Sequence, residues 1–312
     1  MRNRSYVTIV VACCAALCSA ESAALACTWG DPNCEWVQLS PNPPNMAAGA
    51  QIAVSGAGGT SEFYYVVTSS GLYYTIVDVS SQLSSLDWLV GSTTINTGSI
   101  KQITADTSDE NIYMIDNLGT PLFYVLNGGG QGPLGTAIGN QGAPHPGYPD
   151  TGCPLPTDIA VDEELNVYVV GCNNNQFWVA PRAGTSWGTW KAYSVKGAAN
   201  LVSIGANAAF GEQGPWVVDA NGLTFQVFAN GTSDSIARPE WIDNTAHTIG
   251  VYGPSNTAMA IGGDSEICQW TSRSGWDFPF LNGFGVQIAV QSYTAFVEET
   301  GNLYTYSNDL DP

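Results

Sequence analysis

Reactive side chains are scarce in this sequence. Its 312 residues hold two histidines, His145 and His247. No G-x-S-x-G elbow, phosphate-binding glycine loop or Cys/His set with zinc spacing occurs. Carboxylates are the one plentiful group, notably Asp158, Asp162, Glu163, Glu164, Asp264, Glu266, Glu298 and Glu299. A glycosidase sets two carboxyls across a sugar, and spacing singles out no such pair. Asp162-Glu163-Glu164 could offer oxygens to Ca²⁺, but acidic residues in a hairpin turn are the ordinary solvated choice. The expectation is a chain that catalyses nothing and carries neither cofactor nor metal.

Aromatic and amide side chains supply the remaining chemistry, with 10 Trp, 14 Tyr and 10 Phe. A ring beside uncharged hydrogen-bonding groups suits the apolar C–H face of a sugar. Rings that recur at one position of the repeat described next are read as core. Rings outside repeat positions are the site candidates: Tyr64, Trp178, Trp187, Trp270 and Tyr306. Trp178 leads them, because Asn174 and Gln176 bring amides to the same turn. A strand tryptophan that only packs against the next sheet is the competing reading.

The scaffold for these residues is legible in residues 156–178, which hold three short strands joined by polar turns. Asp158-Ile159-Ala160-Val161 alternates in polarity, Asn166 to Val170 is β-branched and aromatic, and Gln176-Phe177-Trp178 begins a third strand. The unit recurs. Its leading isoleucines are Ile52, Ile103, Ile159, Ile204, Ile249 (or Val251) and Ile288. Second strands follow at Tyr65-Val66-Val67, Tyr113-Met114-Ile115, Tyr168-Val169-Val170, Trp216-Val217-Val218, Met259-Ala260-Ile261 and Phe296-Val297-Glu298. A strand-built period of roughly 40–50 residues is that of propeller blades.

A Trp-centred fourth strand is expected at Asp87 to Val90, Trp190 to Tyr193, Glu240-Trp241-Ile242 and Trp276-Asp277-Phe278. The sixth unit has none, whereas Glu35-Trp36-Val37-Gln38-Leu39 precedes the first. That displaced strand is expected to complete the last blade and close the ring, which removes the open edges that template aggregation. The fold expected is an all-β, six-bladed propeller of four-stranded antiparallel blades, one domain over residues 27–312. A β-sandwich shares the alternation but gives no reason for six copies. Residues 128–156, rich in Gly and Pro, replace or delay the outer strand of the second blade. They are either a functional loop, with His145 and Tyr148 as its distinctive side chains, or a plain insertion.

Residues 1–26 read as a signal peptide: Arg2 and Arg4, an apolar run from Tyr6 to Leu17, then Ala24-Leu25-Ala26. Secretion follows, with lipid anchoring at Cys27 the less favoured alternative. The run is too short for a membrane span. Loss of Arg2, Arg4 and Glu21 leaves six basic residues against 26 acidic ones, a net charge of −20. Such a chain repels nucleic acid and anionic membrane. Cys153 and Cys172 flank the third hairpin and are expected to pair; Cys27 and Cys34, close in sequence, could form a second bridge, the alternative being a lipidated Cys27 with Cys34 paired to Cys268. Cys268 stands in a column with Tyr73, Phe123, Phe177 and Tyr304, which suits a buried thiol.

The recurring phrase is Gly, then Gln-Ile-Ala-Val, then aromatic-Val-Val-Asp, then Gly and Leu-Tyr. It is clearest at Gly98-Ser99-Ile100-Lys101-Gln102-Ile103 with Tyr113-Met114-Ile115-Asp116, and at Trp216-Val217-Val218-Asp219 with Asn221-Gly222-Leu223. It resembles the tectonin-type repeat across nearly all of the chain after the leader. The resemblance implies a six-bladed propeller and a secreted or surface lectin for bacterial or helminth glycans. Binding of a cell-surface carbohydrate is the first expectation, and an extracellular scaffold for a protein partner the second. Ligand residues do not carry over.

Overall fold

The computed structural model describes residues 36–55, 61–78, 86–106, 110–126, 134–138, 156–171, 174–206, 214–228, 233–236, 248–252, 257–262, 265, 267–271, 275–277, 285–291 and 294–307. Six four-stranded antiparallel sheets make a β-propeller. Blade 1 is Gln51–Ser55, Ser61–Thr68, Gly71–Asp78 and Leu89–Ser92; blade 2 is Ile100–Ala105, Asn111–Asp116, Pro121–Val125 and Thr136–Ala137. Blade 3 is Asp158–Val161, Val167–Val170, Gln176–Ala180 and Lys191–Ser194; blade 4 is Leu201–Gly205, Trp216–Asp219, Thr224–Val227 and Ser233–Ile236. Blade 5 is Thr248–Tyr252, Thr257–Ile261, Ile267–Thr271 and Gly275–Asp277; blade 6 is Gln287–Gln291, Thr294–Glu299, Asn302–Ser307 and the N-terminal Val37–Leu39. Each inner strand packs against the next around the ring. Among the described residues no helix is long and apolar enough to cross a membrane.

One register repeats in all six blades, and it explains the sequence pattern. The leading isoleucine of each inner strand faces a second-strand residue, as in Ile52↔Val66, Ile103↔Met114, Ile159↔Val169 and Ile204↔Val217. Blade 5 follows it with Ile249↔Ala260, so Ile249 and not Val251 is the key residue. The next inner residue is small and pairs with the largest second-strand one: Ala53↔Tyr65, Ala160↔Tyr168, Gly205↔Trp216 and Gly250↔Met259. Inner strands converge on the axis, which leaves little volume there. A Cβ on Gly250 would lie 2.4 Å from Val290 Cγ2 of the neighbouring inner strand. The second strands have room, and they fill it with Tyr65, Tyr113, Tyr168 and Trp216, all fully buried. Burying such rings adds a large apolar contribution at each seam.

The N-terminal strand closes the ring as expected, pairing Val37↔Thr305, Gln38↔Tyr304 and Leu39↔Leu303. One expectation about outer strands needs correction, and one alternative is decided. In blade 4 the outer strand is Ser233–Ile236, not Glu240 to Ile242, because the chain turns back at once and pairs Val227↔Ser233; residues 240–242 lie outside the described ones. Blade 2 takes its outer strand, Thr136–Ala137, from within the Gly/Pro-rich stretch, which therefore delays the strand. Gly135 starts it at φ +106°, and a Cβ there would meet Phe123 O at 2.5 Å. Trp88 and Trp190 stand just ahead of their strands: Trp88 Nε1 donates to Pro41 O (2.6 Å) and Trp190 Nε1 to Ile138 O (3.2 Å). The leader, Cys27, Cys34, Cys153, Cys172, His145, Tyr148 and His247 lie outside the described residues.

Cys268 is buried as a thiol, opposite Ala260. Its column is not quite the one expected. The residues across from the isoleucine–partner pairs are Tyr73, Leu122, Trp178, Phe225, Cys268 and Tyr304. Leu122 and Trp178 thus replace Phe123 and Phe177, and Trp178 belongs to a repeat position after all.

Candidate functional site: the mouth of the ring

The residue just ahead of each leading isoleucine lies near the start of its inner strand, at one end of the ring. Those residues are Gln51, Gln102, Asp158, Ser203, Thr248 and Gln287, all polar. Being one step from the isoleucine, Gln51, Gln102, Asp158, Ser203 and Gln287 fall on the opposite side of the strand. The described side chains among them form a collar. Gln287 Nε2 donates to Gln51 Oε1 (2.9 Å) and to Gln102 Oε1 (3.0 Å). Its own Oε1 accepts from Ile52 N (3.2 Å). The Gln102 amide then donates to Asp158. From the other side, Ser203 Oγ donates to Asp158 Oδ2 (2.5 Å), and Ile249 N donates to Ser203 Oγ (3.1 Å). Asp158 also accepts from Ile204 N and Ile159 N, each at 2.9 Å. Donation runs around the collar from both directions and ends on one carboxylate.

Beneath the collar the six leading isoleucines, each packed in its own seam between two blades, line a space of only about 30 Å³. The axis is narrow there. Above it, the collar opens into a cavity of about 250 Å³. Gly49, Thr157, Val202 and Val286 form its rim, the three glutamines its wall, and Asp158 and Glu298 its floor. None of these nine is basic and none is aromatic. Burial pushes the Asp158 carboxyl up to about 6, against the opposing pull of its donors. Burial likewise raises Glu298, whose oxygens accept from Gly301 N (2.6 Å) and Gly49 N (3.3 Å). A buried carboxylate without a countercharge is unfavourable, so the floor favours a positive ligand group or a proton.

At the other end of blades 2 and 3 a second polar motif appears twice. Asp106 accepts from Tyr113 Oη (2.8 Å) and Asn111 Nδ2 (2.9 Å), and Asp162 accepts from Tyr168 Oη and from Asn166 Nδ2 (2.9 Å). Burial, with the adjoining aspartate, raises both phenols far above their ordinary value. Asp162 therefore serves a buried tyrosine rather than projecting from the acidic turn. Among the described residues no group of three metal-ligating side chains occurs.

The expected ligand residues do not assemble. Trp178 is 8 % exposed and packs with Tyr113, Ile138 and Trp190 between blades 2 and 3. Tyr64 is fully buried and bonds Glu62 Oε2 (2.8 Å) and Thr305 Oγ1 (2.7 Å). Tyr306 is buried against Trp36, centroids 5.6 Å apart. Trp270 lies 4.8 Å from Trp216. Trp187 packs on Phe123 at 4.9 Å, while Arg182 covers its ring at 4.2 Å. Its Nε1 donates to Leu165 O at the end remote from the mouth. Asn174 and Gln176 do share one turn, Gln176 N donating to Asn174 Oδ1 (3.0 Å), on the mouth face but outside the cavity lining. Trp178→Ala should cost about 3–5 kcal/mol of stability, as for other large core truncations; a melting curve like that of the unaltered chain would contradict its core placement.

Sequence reasoning passed over Gln51, Gln102, Ser203 and Gln287. The signal was present, a polar residue before every leading isoleucine, but its meaning depends on six distant strand ends meeting at one axis.

No protein-family model and no curated protein matches the chain. Solved structures do. YCF48 from Cyanidioschyzon merolae superposes with a TM-score of 0.53 at 11% identity, over 88% of this chain and 99% of that one. YCF48 bound to a D1 peptide gives 0.52 at 12% identity, over 88% and 97%. A protein of unknown function from Bacteroides thetaiotaomicron gives 0.50 at 10% identity, over 86% and 71%. At such identities the likeness is one of fold, and the fold is a β-propeller.

Proposed function

We propose that this chain is an exported, non-catalytic recognition propeller that binds a protein partner through an extended segment seated over the mouth. The carrying observation is the mouth itself: a polar cavity on the axis with amide walls, an acidic floor, an exposed rim and no aromatic ring among the described residues that line it. A propeller fold alone implies no activity. The described lining offers no ring for sugar stacking. A structural neighbour, YCF48, has been seen with a D1 peptide, and peptide capture on a rigid ring suits the present cavity. Export rests on the leader-like residues 1–26 and the acidic composition.

The glycan reading stands second. It is favoured by the resemblance to tectonin-type repeats and by the neutral amides of Gln51, Gln102 and Gln287. Peptide-display selection against the full chain, run beside a glycan array, tests both. Thr157→Trp would overhang the mouth from an exposed rim position. Peptides whose binding Thr157→Trp abolishes are the expected result. Glycan binding with no peptide selected would make the chain a lectin instead, and neither ligand binding would sink both readings.

A further inference from the structure

We propose that the mouth is built to hold a primary ammonium group, the side-chain terminus of a lysine on the partner. For its macromolecule this rests on the partner-binding reading above; the chemistry rests on the cavity alone.

Size, charge and donor–acceptor direction carry the argument. About 250 Å³ falls just below the range of pockets for drug-sized ligands, which leaves room for one long side chain. Two carboxyls form the floor, and among the described residues that line the cavity none is basic. Gln287 spends both amide hydrogens on two other glutamines, while Gln51 Nε2 and the Gln102 amide each spend one, on Gly49 O (3.2 Å) and on Asp158. The acceptor positions that remain outnumber the two amide hydrogens left over. Gln51 Oε1 and Gln102 Oε1 each accept once from Gln287, and each carboxyl oxygen of Glu298 accepts one backbone N–H. A carbonyl or carboxylate oxygen has two lone pairs, so each keeps one to offer.

These acceptors are separate points around a small well. An ammonium, with three donors and a compact charge, can satisfy several of them at once. A guanidinium binds best to a carboxylate that presents both oxygens side by side. Asp158 does not do so, because Ser203, Ile204, Ile159 and Gln102 already occupy it; on Glu298 a backbone N–H already sits on each oxygen, so neither carboxylate presents an unoccupied edge, and the remaining acceptors are spread over Gln51, Gln102 and Glu298. Asp158 contributes charge from below the contact layer, and the chain's net charge of −19 adds attraction at longer range. Thr157 and Val286 at the rim are exposed and available to the backbone of the partner.

The probe is n-butylammonium, titrated at neutral pH into the full chain and followed by carboxyl ¹³C NMR. A saturable shift of the Asp158 and Glu298 signals is expected, at least tenfold weaker with n-butylguanidinium and absent with n-butanol. Glu298→Gln and, independently, the half-buried Gln51→Leu should each weaken it at least tenfold. Only variants whose melting matches the unaltered chain are compared. In a second arm, lysine→norleucine in a mouth-selected peptide should weaken binding at least tenfold. No saturable shift, or n-butylguanidinium binding equally well, overturns the proposal. Selected peptides indifferent to norleucine overturn it while leaving partner binding intact. Saturable ammonium binding with no peptide selected supports it and removes the partner reading instead.

Discussion

Removing residues 36–40 should abolish the cooperative thermal transition of this protein. The segment supplies the outer strand of blade 6, through the pairs Val37↔Thr305, Gln38↔Tyr304 and Leu39↔Leu303. Its side chains hold the seam as well. Leu39 is 1 % exposed, and Trp36 packs on Tyr306 beside Met259 and Ile267. The chain just after it ties blade 6 to blade 1: Asn42 Nδ2 donates to Gly301 O (2.9 Å), and Trp88 Nε1 to Pro41 O. Without the segment, Asn302–Ser307 becomes an open edge, the kind that pairs with other chains. Leu39→Ala is the milder form and should cost about 2–5 kcal/mol. For a chain of this size that lowers Tm by several degrees, at roughly 2–4 °C per kcal/mol. Circular dichroism melts with light scattering would show both effects; a truncated chain that melts like the full one would refute the closure.

The ring and its closing strand were legible because both are written in local pattern. Period-two alternation gives strands, and the missing sixth Trp strand at one end has its counterpart at the other. Where reading by pattern slipped, the cause was turn length. The path from Val169 to Trp178 is two residues longer than that from Val66 to Tyr73, yet both pairs hold the same register. Aligning third strands by the nearest ring put Phe177 in the column that Trp178 occupies. A shift of one residue exchanges the two faces of a strand, so a core tryptophan passed for a surface one. In blade 5, Met259 fills the position of the missing aromatic opposite Gly250, a substitution of shape that an aromatic-based alignment does not anticipate. The mouth was harder still. Gln51 and Gln287 are 236 residues apart, and no local signal says that their amides touch.

The second large effect concerns Asp158. Asp158→Ala would leave the donors Ser203 Oγ, Ile204 N, Ile159 N and Gln102 facing an empty site. Each buried donor left unpaired costs about 1–3 kcal/mol, so this substitution should rival the loss of a core aromatic. Asp158→Asn keeps the shape and removes the charge, and it exposes a pH dependence. The folded carboxyl titrates at about 6, above its ordinary value of 3.8, because burial outweighs its hydrogen bonds. Between those two values the folded chain holds a proton that the unfolded chain has released. The stabilising contribution of that proton is complete below the unfolded value, and it is lost as pH rises through the folded one. Each pH unit separating the two values is worth about 1.36 kcal/mol, so the loss is on the order of 3 kcal/mol by neutral pH. Stability measured in denaturant at pH 4 and at pH 7.5 should therefore fall for the unaltered chain relative to Asp158→Asn, which lacks the titrating group. The amide itself places an NH₂ among donors and carries a fixed penalty at both pH values, so the change in the difference is the quantity to read. A difference that stays constant between the two pH values would show that Asp158 does not titrate with raised affinity for its proton.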